Sequence, residues 1–264
     1  MIGVSDLAAG GSGALVGFTL GLIGGGGSVL AVPLLVYVVG VASPHIAIGT
    51  SSVAVAANAF VNLIGHWRQG NVRWPCALVF TTAGVAGAAL GSSAGKAFDG
   101  KKLLFLFGAL MVAIGIAMLL RKGAREEDFA PLRRSNAATM GPKLVATGAA
   151  VGALSGFFGI GGGFLIVPGL MMSANMPMLT AVGTSLVAVT AFGLTTAVSY
   201  AVSGLVDWRI VAIFIGAGAF GGLAGMRAAQ HLGAQKAALA KTFAAIVICV
   251  GVYVMARGIA AFVG

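Results

Sequence analysis

Read along the chain, long apolar runs are separated by short polar interruptions. They cover residues 8 to 40, 45 to 65, 75 to 97 and 102 to 120, and again 143 to 174, 178 to 203, 209 to 230 and 238 to 261. An α-helix needs roughly 20 residues to cross the hydrocarbon of a bilayer, and each run reaches about that length. The strands of a membrane barrel would instead read as roughly ten-residue segments of alternating polarity. The many glycines suit close helix packing in lipid. The expected fold class is an all-α integral membrane protein with eight hydrophobic segments.

Composition agrees. Hydrophobic residues make up 59% of the 264 positions and charged residues only 8%, with a mean hydropathy of +1.03. A soluble domain carries about one quarter charged residues, so these few charges cannot give the chain a polar exterior in water. The bilayer is the expected solvent partner. Asp6 is the only charge before Arg68; without a basic n-region the first segment is expected to remain in the mature protein.

The eight segments fall into two homologous halves of four. Residues 17 to 33 read GFTLGLIGGGGSVLAVP and residues 152 to 168 read GALSGFFGIGGGFLIVP. Gly17, Gly21, Gly24, Gly26, Gly27 and Pro33 match Gly152, Gly156, Gly159, Gly161, Gly162 and Pro168. After a one-residue slip, Gly49-Thr50-Ser51 matches Gly183-Thr184-Ser185, Gly70 and Trp74 match Gly204 and Trp208, and Gly84, Gly87 and Gly91 match Gly218, Gly221 and Gly225. Residues 1–120 are thus a first repeat and 144–264 a second. Residues 121–143 form a charged linker, which the positive-inside rule puts in the cytoplasm. If all eight segments cross, the linker side collects 10 of the 16 Lys and Arg; if the first segment of each half dips in and returns, it collects 11 and the halves become inverted repeats. The acidic N-terminus favours the inverted arrangement, which is common in secondary transporters.

The first segment of each half is long and carries a glycine run near its middle. Each glycine costs a helix about 1 kcal/mol relative to Ala, so both segments are expected to break there. Broken helices at membrane depth expose backbone N–H groups at a positive dipole end, which suits an oxyanion. Paired interrupted segments are the best pointer in a sequence to a transporter binding site. The expected substrate-binding residues are Gly24, Gly25, Gly26, Gly27 and Ser28 at the first break and Gly159, Gly161, Gly162 and Gly163 at the second. Thr50, Ser51, Asn58, Thr184 and Ser185 join them from the following segments. The plainer reading is that the glycines only let helices cross closely and that Thr190, Thr195 and Ser199 bond their own backbone. Thr50, Asn58, Asn62 and His66 fall at four-residue intervals on one helix face, answered in the second half by Thr184, Phe192, Thr196 and Tyr200. His66, near Arg68, is expected at the interface.

All six carboxylates lie at segment ends or in the linker. Cation pathways and many proton relays place Asp or Glu at membrane depth, so a small anion is the better substrate. Cys76 and Cys249 lack neighbours at metal-ligand spacing and read as core filling, and no cofactor is expected. Neither glycine run continues into Lys-Ser or Lys-Thr, so neither is a phosphate loop. With no metal cluster or acid/base pair evident, an enzyme is not expected, and neither is a nucleic-acid partner.

With those residues in view, the chain resembles the sulfite exporter (TauE/SafE) family of membrane transporters. The likeness rests on GLIGGGGSVLAVPLL with ASPHIAIGTSSVAV, on GFFGIGGGFLIVPGL with AVGTSLVAV, and on the segment ends GNVRW and GLVDW. It implies export of a small sulfur oxyanion or organosulfonate, such as sulfite or sulfoacetate, through the bacterial inner membrane. Arg73 stands in the first segment end where the second has Asp207, the residue more familiar in the family. An anion channel would use the same lining, and a membrane scaffold without transport is the third reading.

Overall fold

The computed structural model describes residues 4–120, 137–159, 163–231 and 236–263, and every element among them is helical. The first long run divides into α1 (Val4–Ile23), a 3₁₀ stretch (Gly24–Leu30), a single turn α2 (Ala31–Leu34) and a π-helical turn (Leu35–Val39). Then come α3 (Pro44–Arg68), α4 (Trp74–Ala97) and α5 (Gly100–Leu120). The second half supplies α6 (Ala137–Phe158), α7 (Gly163–Ala174), α8 (Met178–Val202), α9 (Trp208–His231) and α10 (Lys236–Val263). Six of the described helices, α1, α3, α4, α5, α8 and α9, are long and apolar enough to cross a membrane. The protein is an all-α integral membrane protein.

Local chemistry sets the helix ends. Pro44 and Pro75 stand in the first turns of α3 and α4, where no intrahelical N–H is needed. Asp207 caps α9 by accepting from the backbone N–H groups of Arg209 and Ile210. Asp99 caps α5 in the same way, and the Lys102 N–H, with that of Lys101, holds its carboxyl below the ordinary value. A depressed carboxylate pKa stabilises the fold above the unfolded value and loses that contribution as pH falls through the folded one, so this cap is intact at neutral pH.

Residues in contact reveal the direction of each helix. Gly13, Gly17 and Gly21 of α1 lie against Phe214, Gly218 and Gly222 of α9, so the two helices run the same way. Asn58, Asn62 and Gly65 of α3 meet Gly218, Gly222 and Met226 of α9 in the same sense. With α1 and α3 parallel, residues 24–39 between them turn back, and Gly27 packs against Thr19 and Leu20 of α1. The second half repeats this on α4. Gly148, Gly152 and Gly156 of α6 lie against Phe80, Gly84 and Ala88, while Phe192 of α8 stacks on Phe80 and Lys96 reaches Ser199 and Ser203. Here α7 is the returning piece. Among the described residues each first segment therefore turns back before the second long helix of its half begins, and six helices are long and apolar enough to cross a membrane.

Corresponding helices of the two halves cross antiparallel: Gly49 meets Tyr200 and Gly193 meets Ala56 between α3 and α8, and Gly108, Gly115 and Gly258 meet Gly251, Ile248 and Phe105 between α5 and α10. The first helix of each half packs on the third helix of the other. The close approaches are reciprocal, since Gly17 faces Gly218 and Gly152 faces Gly84. Backbone conformation carries the same duplication. Among the described residues, those with positive φ are Gly24 and Gly159, Gly40 and Asn175, and Gly70 and Gly204, each pair at matching positions of the halves. Asn is the non-glycine residue that best tolerates this region, which is why it replaces Gly only there.

Contact decides which glycines of α9 matter. A side chain at Gly218 would strike Asn58, whereas one at Gly216, half a turn away, meets nothing within 4 Å. We expect Gly218→Val to cost at least the roughly 1–3 kcal/mol of an overpacked core and to lower the detergent melting temperature, while Gly216→Val melts as the wild type does. Equal melting of the two variants would contradict the packing of α3 on α9.

Candidate functional site

The two breaks meet. Gly24 ends α1 with φ of +70°, and a Cβ there would crowd Val182 of α8; its counterpart Gly159 ends α6 with φ of +65° against Ile48 of α3. Val182 and Ile48 each precede a Gly-Thr-Ser triplet, so each break rests on the triplet of the opposite half. Immediately beyond, the backbones of Gly25 and Gly163 approach so closely that a side chain on either would collide with the other. Only glycine fits both positions, because the atoms in the way are backbone.

Hydroxyl groups satisfy the interrupted backbone. The Gly25 N–H donates to Ser185 Oγ at 3.3 Å, and that hydroxyl donates in turn to Val182 O at 2.7 Å. Ser28, fully buried, donates to Gly25 O at 2.9 Å. On the other side Ser52 Oγ lies 2.8 Å from both Ile48 O and Gly159 O, and Ser51 donates to Ile48 O at 2.9 Å. Gly26 lies within the 3₁₀ stretch. Gly161 and Gly162 lie outside the described residues.

Thr50 and Thr184 do different work. Thr50 Oγ1 accepts from the Asp207 N–H at 2.9 Å, and Thr184 Oγ1 accepts from the Arg73 N–H at 3.0 Å. Because α3 and α8 are antiparallel, these two ties sit at opposite ends of the bundle. Each fastens a triplet of one half to the third-helix entrance of the other.

Asn58 faces α9 and makes a long 3.5 Å contact from Nδ2 to Phe214 O. Asn62 donates to Asn58 O at 2.9 Å, and His66 Nε2 lies 3.4 Å from Gly21 O. His66 is only 1% exposed: α1, through Gly21 O, and α9, through Met226 against Gly65, close over it near the end of α3. Thr190 and Thr195 bond the carbonyls of Leu186 and Ala191 in their own helix, the plain role expected of them.

The structure thus brings Gly24, Gly25, Ser28, Gly163 and Ser185 together, with Gly159 and Ser51 on the far side of the junction. Thr50 and Thr184, next to Ser51 and Ser185 in the chain, turn their hydroxyls to the opposite half, and Asn58 turns to α9. Ser52 was not foreseen, because its counterpart in the second half is Leu186. The doubled serine of Thr50-Ser51-Ser52 was the available signal. Chemically, the junction offers backbone N–H groups and rotatable hydroxyls, all hydrogen-bond donors to an oxyanion, and the N-terminus of α7 adds a positive dipole end. No group of three or more His, Cys, Asp or Glu able to hold a metal ion occurs among the described residues.

Comparison with known proteins agrees with this architecture. The family model described as "Sulfite exporter TauE/SafE" matches residues 9–254. A "Probable membrane transporter protein" of Xylella fastidiosa (strain 9a5c) is 51% identical over 253 residues, covering 96% of each chain. The "Probable membrane transporter protein YunE" of Bacillus subtilis (strain 168) is 28% identical over 266 residues, covering 93% of this chain and 96% of its own. No solved structure matches.

The two threonine ties make a quantitative expectation. Thr50→Val and Thr184→Val each keep the side-chain shape and leave one backbone N–H without its acceptor. Each should lower unfolding free energy by about 1 kcal/mol. Lying at opposite ends of the bundle, they should add to within roughly 0.5 kcal/mol in the double variant. Denaturant unfolding in mild detergent measures all three, and a strongly non-additive double variant would show that the ties are not separate.

Proposed function

The chain belongs to the sulfite exporter TauE/SafE family, and from that membership and the meeting of its two helix breaks we propose that it is a secondary transporter exporting a small sulfur-containing anion. Sulfite, sulfoacetate or a related organosulfonate is the substrate class, and the bacterial inner membrane the location. The observation that carries this reading is the face-to-face contact of Gly25 and Gly163, with the Gly25 N–H held on Ser185 Oγ. An anion entering there replaces Ser185 as the acceptor for the Gly25 N–H and frees the serine hydroxyl to turn from Val182 O toward the ligand. The same donors are unsuited to a cation. Gly24, Gly26, Gly27, Ser28, Gly159, Gly161, Gly162 and Ser51 complete the site in this reading, Thr50 and Thr184 brace it from the ties to the opposite half, and Asn58 is assigned to the seam with α9.

We also propose that the halves are inverted repeats. The opposite directions of α3 and α8, and of α5 and α10, support it, as does the gathering of Lys and Arg on the linker side. Both chain ends then lie outside the cell. A two-fold related pair of dip-and-return segments gives one central site two equivalent routes of access, as alternating access requires.

Thermal stability of the purified protein against sulfite, thiosulfate, sulfate, sulfoacetate, taurine and chloride tests the substrate class. A selective rise with one sulfur anion is expected, since a ligand that binds the folded state alone stabilises it. Ser185→Ala should weaken that anion roughly five- to tenfold, the equivalent of about 1 kcal/mol. Gly163→Ala, inserted in the membrane at wild-type level, should lose both the shift and saturable counterflow. Retained transport in that variant would remove the junction as the site, and unitary currents in planar bilayers would make the protein a channel. For the topology, Val4→Cys and Lys102→Cys should react with an impermeant maleimide from outside the cell; reaction from the cytoplasm alone would reverse the assignment.

A further inference from the structure

The polar stripe of α3 stands apart from the junction of the breaks. Asn58, Asn62 and His66 follow at four-residue intervals on the face turned to α9 and α1, and none is more than 1% exposed. Their donors are spent on backbone carbonyls: Asn58 Nδ2 on Phe214, Asn62 Nδ2 on Asn58, and His66 Nε2 on Gly21. A carbonyl only accepts, so these partners fix how each amide and ring is turned. Asn58 Oδ1, Asn62 Oδ1 and His66 Nδ1 are left in the buried seam without any donor. Three lone-pair groups, one per helical turn, repel an anion and attract a cation.

Adhesion between helices does not require this arrangement. The matching positions of α8 hold Phe192, Thr196 and Tyr200, and all three are buried. We infer that His66 is the site of a proton that travels in step with the anion, an inference that rests on the transport reading above. The proton binds the lone pair of His66 Nδ1 and no bond is broken; Asn62 Oδ1, one turn earlier and also without a donor, is the acceptor that the new N–H reaches by side-chain rotation. Release reverses the step on the other side of the membrane. Carrying a proton with an oxyanion lowers the net charge that must cross.

The surroundings explain why the two ligands would be coupled. The stretch of α1 facing His66, Leu20–Ile23, is uncharged. On α9, Arg227 stands beside Met226, which packs on Gly65 of α3; on α3 itself, Arg68 lies two residues on. Neither α3 nor the facing stretches of α1 and α9 carry a carboxylate, so nothing competes for the proton and the two arginines oppose its binding. His66 rests on Gly21 O, three residues before the break at Gly24, so an oxyanion held at the break offsets that positive charge and raises the proton affinity of His66.

The chain has only three histidines, so nitrogen NMR of the full-length protein with isotope-labelled histidine can follow each one over roughly pH 5 to 8. His66 should appear as the Nε2–H tautomer, protonate at Nδ1, and titrate at higher pH once thiosulfate or sulfoacetate is added. Asn62→Thr, which borrows the residue at the matching position of α8, should move that titration to lower pH. In proteoliposomes with the membrane potential clamped, a gradient of about one pH unit should drive roughly tenfold accumulation of either anion for one coupled proton. Both probes remain ionised, so the gradient does not move them by itself. His66→Gln should abolish the accumulation while retaining anion-dependent thermal stabilisation. Wild-type accumulation in His66→Gln, absence of titration at His66, or a sodium gradient serving in place of protons would each overturn the inference. If no anion stabilises the wild type, the transport reading falls, and the coupling role falls with it.

Discussion

Hydrocarbon offers no hydrogen bonds, so every backbone group at membrane depth must find its partner within the protein. Helices meet this demand until they are interrupted, and this chain interrupts two of them. Serines answer at both breaks. Ser185 accepts the Gly25 N–H, Ser28 donates to the Gly25 carbonyl, and Ser52 donates to the Gly159 carbonyl. Ser185 belongs to the triplet of α8 and Ser52 directly follows that of α3, and each serves the break of the opposite half. The central helices therefore owe their position to the breaks as much as to apolar packing.

That exchange extends through the fold. α1 lies on α9 and α6 lies on α4, and the glycines along both seams bring backbone directly against backbone. Association in lipid gains nothing from excluding water, so close van der Waals contact must hold the helices together. Backbone reaches backbone in these seams where at least one of the two surfaces is glycine, as Gly148 against Phe80 and Gly13 against Phe214 show. The reciprocal positions of Gly17 with Gly218 and Gly152 with Gly84 show one solution used twice. Neither half buries its own first helix, and the halves depend on one another for a finished interior.

Much of this was legible in the sequence, and the reasons it was legible are specific. Helical spans followed from long apolar runs, and the breaks from glycine runs whose spacing recurred after about half the chain. Direction was harder, since the charge counts of the two topologies differed by a single residue; contacts such as Asn62 with Gly222 decide how α3 runs relative to α1. Gly25, Gly163 and Ser185 meet through backbone geometry at the two glycine runs, whereas the hydroxyls of Thr50 and Thr184 tie to backbone N–H groups of the opposite half. A residue triplet states which hydroxyls are near a break but not which way each one turns. The cover over His66 was illegible for a related reason: the helices that bury it come from elsewhere in the sequence.

Where the two halves agree and where they differ separates two kinds of constraint. They agree at Gly24 and Gly159, Gly70 and Gly204, Thr50 and Thr184, and Ser51 and Ser185, positions that set backbone conformation or hold a backbone group. These requirements are the same on both sides of a bundle whose halves interlock, so the same residues meet them. Asn58, Asn62 and His66 differ from Phe192, Thr196 and Tyr200, although both rows occupy the same face of matching helices. Backbone geometry imposes nothing on these side chains, and one row became a column of acceptors while the other kept an aromatic and two hydroxyl-bearing residues. Symmetric framework residues give a substrate equivalent paths from either side. Gradients set the direction of net movement, so the buried difference between α3 and α8 bears on which ions move together and not on which way they go.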